Sequence, residues 1–333
     1  MLAARAGLRE SLQGFVNASG LPFATMFMDK SVLEEQQPAY IGMYDGRLMD
    51  EEVRGFVESC DRVLAVGALM TDFNTGAFTA RLDPGKTISI RHHQTDVGGH
   101  VFPNVEMKDI LAELTRRITK HTGSPPVKPA SLGPVVGGER DPITAEALYP
   151  HWANFLKPND LLITETGTSF MGLAFALLPR GATFHNQPLW GSIGWATPAA
   201  FGAAVAAPNR RVVLVTGDGS NQLTAQEISQ FGRRGLKPIV FLLNNSGYLI
   251  ERLLCKDPAA GRVQPPTPRT RPKTRRRCQG WFTARVATCG EMVTIPSLHD
   301  GDEWARFEAA RRAISQRFGN SVLAPRYRTK RIP

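Results

Sequence analysis

Two short polar runs in the second half of the chain carry the residue types needed for metal-assisted anion binding. Gly217-Asp218-Gly219-Ser220 follows the apolar stretch 211–216, and Asn244-Asn245-Ser246-Gly247 follows the apolar stretch 238–243. In an open α/β sheet, ligands bind beyond the carboxyl ends of the strands, so polar residues placed directly after apolar strands are the first to inspect. Asp218 offers a carboxylate and Asn245 a neutral amide oxygen, both hard ligands. Mg2+ takes six oxygens and usually combines one or two protein carboxylates with phosphate oxygens and water. Gly217 and Gly219 allow a tight turn and close backbone approach, while Ser220 and the start of the next helix supply donors to an anion. A Mg2+-bridged diphosphate fits this set. Taken singly, each run is mostly a turn or a loop; the pair, each after a strand and with a helix between, points to a site.

The elements that must position these residues follow an α/β rhythm. In the first part, 2–18 carries a helical pattern, 21–26 an apolar strand, 50–59 a helix, 62–66 and 86–90 further strands, and 107–118 an amphipathic helix. Such alternation implies a parallel sheet covered by helices. Residues 121–140 are rich in Pro, Gly and Ser and read as a linker. The second part has strands at 161–164, 211–216 and 238–243, with a helix from about Thr224, where Thr-Ala-Gln-Glu offers a capping box. The expected architecture is α/β: two doubly wound parallel-sheet domains, 1–120 and 141–259, joined by the linker and followed by an irregular tail, 260–333. No internal repeat is visible.

Composition narrows the function classes. The net charge of +10 invites a nucleic-acid reading, but residues 260–333 hold 16 Lys/Arg against 5 Asp/Glu and the remainder is balanced. The Pro- and Arg-rich run 260–277 lacks interleaved aromatics. Neither a nucleic-acid partner nor a membrane is expected. No apolar run approaches the roughly 20 residues needed to cross a bilayer, and the N-terminus lacks the apolar core of a secretory signal, so a cytoplasmic protein is expected. Cys60, Cys255, Cys278 and Cys289 are far apart, and no His spacing completes a zinc site.

The pairing of GDGS with NN 24 residues on resembles the diphosphate-binding motif of thiamine-diphosphate enzymes. The surrounding text, ITETGTSF, QPLWGSIGWATPAAFGAA, RRVVLVTGDGSNQLTAQEIS and KPIVFLLNNSGYLIERL, resembles the pyruvate and indolepyruvate decarboxylases, and SGLPFATMFMDKSVL with YIGMYDGRL is similar to the start of their middle domain. The resemblance runs from about residue 1 to Pro258. It implies thiamine diphosphate and Mg2+ as cofactors, with Asp218, Asn245 and the backbone carbonyl of Gly247 as metal ligands. It implies that the Gly191 carbonyl meets the aminopyrimidine, that Ile193 is the apolar wedge bending the cofactor, and that Thr166, Gly217, Gly219 and Ser220 line the cofactor. Glu251 corresponds to the active-site glutamate near the reacting carboxylate. The implied reaction is decarboxylation of a 2-oxo acid to an aldehyde and CO2.

The sequence also departs from that pattern. Members of the family have a further, first domain that supplies a glutamate to the pyrimidine ring and a pair of adjacent histidines; text similar to it is not found here. His92-His93 lies in middle-domain text and is read as a surface or loop pair. Family-like text stops at LLCKDPA, resumes at GWFTARVATCGE and fails again, as compensating shifts of reading frame would produce. The expectation is therefore a truncated decarboxylase, inactive as an isolated chain. Partners expected are a small 2-oxo acid and a second copy or an intact homologous subunit. The alternatives are a non-catalytic remnant that binds cofactor or subunits, and another thiamine-diphosphate lyase or synthase of the acetolactate type, against which SGYLIERL argues.

Overall fold

The computed structural model describes residues 2–138, 141, 143–245 and 248–250, together with the backbone of Met292–Ile295. The chain divides into two compact units, 1–131 with 177–183, and 132–176 with 184–333.

In the first unit the order is α1 (Leu2–Arg5), α2 (Arg9–Ser19), β1 (Phe23–Thr25), β2 (Tyr40–Met43), α3 (Glu51–Ser59), β3 (Val63–Val66), β4 (Thr87–Ile90), β5 (Gln94–Val97), β6 (His100–Pro103) and α4 (Met107–Arg117). The single helix expected over 2–18 is two helices, because the chain turns at Gly7. Helix α3 starts where Asp50 accepts hydrogen bonds from Glu52 N at 2.9 Å and Val53 N at 3.2 Å, a cap worth about 1 kcal/mol.

The strands of this unit form two sheets. One pairs β1 with β2 in parallel; the other has the order β3-β4-β5-β6. The expectation of a parallel sheet holds for β3 and β4, but β5 and β6 form an antiparallel hairpin. The reason is local. Gly98 and Gly99, at φ +58° and +88°, supply the two left-handed residues that a tight hairpin turn of matching twist requires. Helices α2 and α4 pack on one face of the strands, where Leu12, Phe15, Met107 and Leu111 meet Phe23, Leu64, Val66 and Ile90. On the other face Val53, Phe56 and Val57 of α3 meet Ala24, Met26 and Ile41.

The segment 177–183 belongs to this first unit. Leu178 N donates to Glu35 Oε2 at 3.1 Å and Gly181 N to Glu34 at 3.2 Å. Glu35 is also paired with Lys30, whose Nζ lies 3.0 Å from both carboxylate oxygens, each side chain 1% exposed. His92 and His93 are exposed, as the sequence suggested. His93 Nδ1 lies 2.7 Å from Glu106 Oε1, and the three side chains form a surface group with the reach to hold a metal ion. Residue spacing alone did not anticipate this grouping, since Glu106 is 13 residues away.

In the second unit the order is α5 (Ala145–Phe155), β7 (Leu161–Thr164), α6 (Thr168–Leu173), β8 (Thr183–His185), α7 (Ala196–Ala206), β9 (Val212–Gly217), α8 (Asp218–Leu223), α9 (Ile228–Arg233), β10 (Ile239–Leu243) and β11 (Met292–Ile295). The sheet order is β11-β10-β9-β7-β8, with β7, β9, β10 and β11 parallel. Alternation along the strands splits them between two helical layers. Leu161, Ile163, Val212, Leu214 and Val240 face the alanines of α7 and Phe231 of α9. Leu162, Val213, Val215 and Phe241 face Trp152, Phe155 and Leu173. The small side chains Ala196, Ala200 and Ala204 let α7 lie close to the sheet. Burying both faces explains why these strands read as uninterrupted apolar runs. Residues 121–138 form no helix or strand.

Candidate functional site

Register fixes where the polar residues emerge. Thr164 lies beside Val215, and Gly217 beside Leu243. The carboxyl ends of three adjacent parallel strands therefore release Glu165 and Thr166 from β7, Asp218 from β9, and Asn244 and Asn245 from β10. Asp218 and Asn245 thus leave neighbouring strand ends, as their positions in the sequence suggested.

Gly217 does not form a left-handed turn. Its φ is −90°, extended, and α8 begins at once with Asp218. Asp218, Gly219 and Ser220 make up the first turn of α8 and are all buried, Asp218 with 8% of its surface exposed. A Cβ on Gly219 would sit 2.8 Å from the Tyr248 ring, so the missing side chain is what lets Tyr248 lie on this turn.

The loop between β8 and α7 carries Gly191 and Ile193 and is fastened at both ends of the site. On the β7 side, Thr166 Oγ1 donates to the carbonyls of Gln187 at 3.1 Å and Ser192 at 3.4 Å. On the α8 side, Thr224 Oγ1 donates to the Gly194 carbonyl at 2.7 Å. The capping box expected at Thr224 is not formed. Thr224 makes no side-chain cap bond, a 3-10 turn follows over Ala225–Glu227, and α9 starts at Ile228. The hydroxyl is spent on the loop instead. Ile193 is about one-third exposed and Trp190 projects with 79% of its surface open. Thr166, Gly191 and Ile193 are therefore gathered on one loop system beside α8. Gly247 and Glu251 lie outside the described residues.

Three features were not read from the sequence. Glu165 is 1% exposed and spans the ends of β7, β9 and α7: its carboxylate accepts from Thr166 N at 3.1 Å, Ala196 N at 3.4 Å and Thr216 Oγ1 at 3.5 Å. Burial raises its pKa above the usual carboxylate value, and these bonds oppose the rise. Asn221 and Asn244 each hold a buried amide oxygen that has no hydrogen-bond partner among the described residues. Asn221 sits one residue past the first turn of α8 and Asn244 follows β10 directly. The sequence signal was available in the DGSN and NN runs, but apolar spacing gives no weight to a buried amide.

The donor set fits a hard cation. One carboxylate and several amide side chains follow neighbouring strand ends, and an unpartnered buried amide oxygen is costly unless a donor or a cation meets it.

Comparison with known proteins gives the class. Residues 2–118 match the thiamine pyrophosphate enzyme central domain, and residues 162–277 match the thiamine pyrophosphate enzyme C-terminal TPP binding domain. The chain belongs to the thiamine pyrophosphate enzymes. The second match extends past Pro258, where the resemblance read from the sequence ended. Among curated proteins, the chain is 40% identical over 248 residues to an alpha-keto-acid decarboxylase of Mycolicibacterium paratuberculosis and to one of Mycobacterium ulcerans. It is 39% identical over the same length to that of Mycobacterium tuberculosis strain H37Rv. Each alignment covers 74% of this chain and 44% of the relative, so the matched region is less than half of those proteins.

Proposed function

We propose that the second unit binds thiamine diphosphate through Mg2+ at the carboxyl ends of β7, β9 and β10, and that the protein serves non-oxidative decarboxylation of a 2-oxo acid of the pyruvate or indolepyruvate class. The observation that carries the reading is the register that releases Asp218 and Asn245 from adjacent strand ends, beside two further buried amide oxygens. Asp218 and Asn245, with the Gly247 carbonyl, would hold the metal. The backbone N–H groups of the first turn of α8 lack intrahelical acceptors, so Gly219 and Ser220 can face phosphate oxygens. Thr166 fixes the 187–194 loop, which sets the height of Gly191 and Ile193 over the site. Ile193 is the apolar support and Gly191 the backbone acceptor on that loop. Thiamine diphosphate, when bound, supplies the electron sink that lets a 2-oxo acid lose CO2. Glu251 is assigned to the substrate side, near the departing carboxylate. No helix among the described residues is long and apolar enough to cross a membrane.

The test is thermal unfolding with Mg2+ and thiamine diphosphate. At cofactor 100-fold above its Kd, binding to the folded state alone stabilises by about 2.7 kcal/mol. Asp218→Ala is expected to abolish the Mg2+-dependent part of that protection. Equal protection in the variant would put the metal elsewhere. CO2 release from pyruvate, phenylpyruvate or indolepyruvate then separates turnover from cofactor binding without turnover.

A further inference from the structure

Strands β4 and β5 are joined by a two-residue tip, His92-His93, closed where Arg91 N donates to the Gln94 carbonyl at 2.8 Å. Tips of this length favour Asn, Asp and Gly, which accept left-handed backbone. Neither histidine has a positive φ, and the turn itself does not call for two imidazoles. Successive residues of an extended strand point to opposite faces. Here the bend brings both rings together, with centroids 3.9 Å apart and planes at 90°.

A second segment is tied to this tip. Val105 N donates to the His93 carbonyl at 3.2 Å and Met107 N to the His92 carbonyl at 3.1 Å. These bonds set Glu106, the residue between them, beside the rings. Glu106 stands directly before α4, where a side chain commonly caps the helix, yet it makes no cap bond. Its carboxylate goes to His93 instead, with Oε1 2.7 Å from Nδ1. The two side chains are 38% and 66% exposed. Exposed pairs add little to stability, so folding does not account for this arrangement.

The contacts give each nitrogen of His93 a role. A carboxylate at Nδ1 holds the ring proton there and leaves a lone pair on Nε2. That lone pair is aimed at His92 Nδ1, 2.5 Å away. Two nitrogens facing each other at this separation cannot both carry a proton. Proteins orient metal-binding histidines in the same way, with a carboxylate on one ring nitrogen and the ion on the other. One ligand atom from each of His92, His93 and Glu106 lies within 4.8 Å of the others. Tetrahedral zinc, with bonds of about 2.0–2.1 Å, separates neighbouring ligand nitrogens by roughly 3.3 Å. Small rotations of the two exposed rings supply that spacing.

We propose that His92 Nδ1 and His93 Nε2 bind one divalent transition-metal ion of the zinc class, with water completing its coordination and Glu106 positioning His93 for it. Imidazole nitrogens prefer Zn2+, Ni2+ and Cu2+ to Mg2+, so the site differs in chemistry from the oxygen ligands of the second unit. The bound ion clasps the β4–β5 tip to the start of α4.

The experiment titrates chelator-treated protein with Zn2+ in millimolar Mg2+, which keeps oxygen-ligand sites with Mg2+. One equivalent of Zn2+ per chain is expected to bind. His92→Ala and His93→Ala are each expected to weaken binding by at least about 100-fold, and Glu106→Gln by about 10–100-fold. His100→Ala, at an exposed histidine at the start of β6, should leave it unchanged. Long-range 1H–15N spectra of the histidine rings read which nitrogens carry the ion, expected to be His92 Nδ1 and His93 Nε2. Zinc is also expected to slow amide exchange at Val105 and Met107 roughly 10-fold in the parent and not in His92→Ala. Absence of Zn2+ binding, or unchanged affinity in either His92→Ala or His93→Ala, would overturn the site. Coordination through His93 Nδ1 would overturn the role given to Glu106. Unchanged exchange at Val105 and Met107 would overturn the clasp, and two chains per ion in sedimentation would replace it with a bridge between copies.

Discussion

Strand β3 in the first unit and strand β9 in the second have similar compositions, Val-Leu-Ala-Val against Val-Val-Leu-Val-Thr-Gly, and both lie between helical layers. Their burial differs. All four residues of β3 are only partly buried, whereas every residue of β9 up to Thr216 is buried. Among the described residues β9 has a strand on each side and β3 has one on a single side. Side-chain chemistry is therefore not what distinguishes a sealed sheet from an open one here. Lateral pairing is, and the helices on either face cannot replace it.

Five substitutions, one of them made on top of another, sharpen this contrast. The largest effect is expected from Lys30→Met in the first unit. It would leave the Glu35 carboxylate buried without its counter-charge, a loss of about 3–5 kcal/mol, read by denaturant unfolding with a probe in that unit. Adding Glu35→Gln should recover much of it; a loss unrelieved by the second change would mean that the ion pair is not the cause. Next, Leu214→Ala in β9 should cost about 2–5 kcal/mol, as deletion from a sealed core does, while Leu64→Ala in β3 should cost only roughly 1 kcal/mol, since Leu64 already borders a cavity. Equal costs would break the comparison.

The smallest effect is expected from Glu165→Gln, and it depends on pH. Burial raises the folded-state pKa of Glu165 above the ordinary value of about 4.3. The folded protein therefore favours the protonated form, and the parent loses stability as pH rises from the unfolded-state pKa through the raised folded-state one. The glutamine variant has no such titration. Unfolding free energies measured between pH 4 and 8 should shift in favour of the variant as pH rises, and a constant difference would mean that Glu165 ionisation does not differ between the folded and unfolded states.

The sequence made the sheet of the second unit legible because strands buried on both faces are continuous apolar runs. The placement of Asp218 and Asn245 at neighbouring strand ends was legible because each comes two residues after such a run. Features decided by distant contacts were not. Thr224 has the sequence of a helix cap, yet its hydroxyl goes to Gly194, 30 residues away. Glu165 looks like one more polar residue after a strand, and its role depends on Ala196 and Thr216 arriving beside it. Gly98-Gly99 carries a local hairpin signal, a glycine pair between short polar and apolar residues, that a helix-strand alternation does not use. The break at Gly7 inside a helical pattern was likewise outweighed by periodicity.

Glu165 also governs how the second unit comes apart. One carboxylate holds the backbone after β7, the first N–H of α7 and a hydroxyl on β9. Fraying of any one of these ends strips a donor from the carboxylate that the other two share, and displacement of the carboxylate itself breaks all three bonds. Local opening at this edge of the sheet is therefore a joint event and not three separate ones, and the loop that carries Gly191 and Ile193 is set in the same cooperative unit as the strands beneath it.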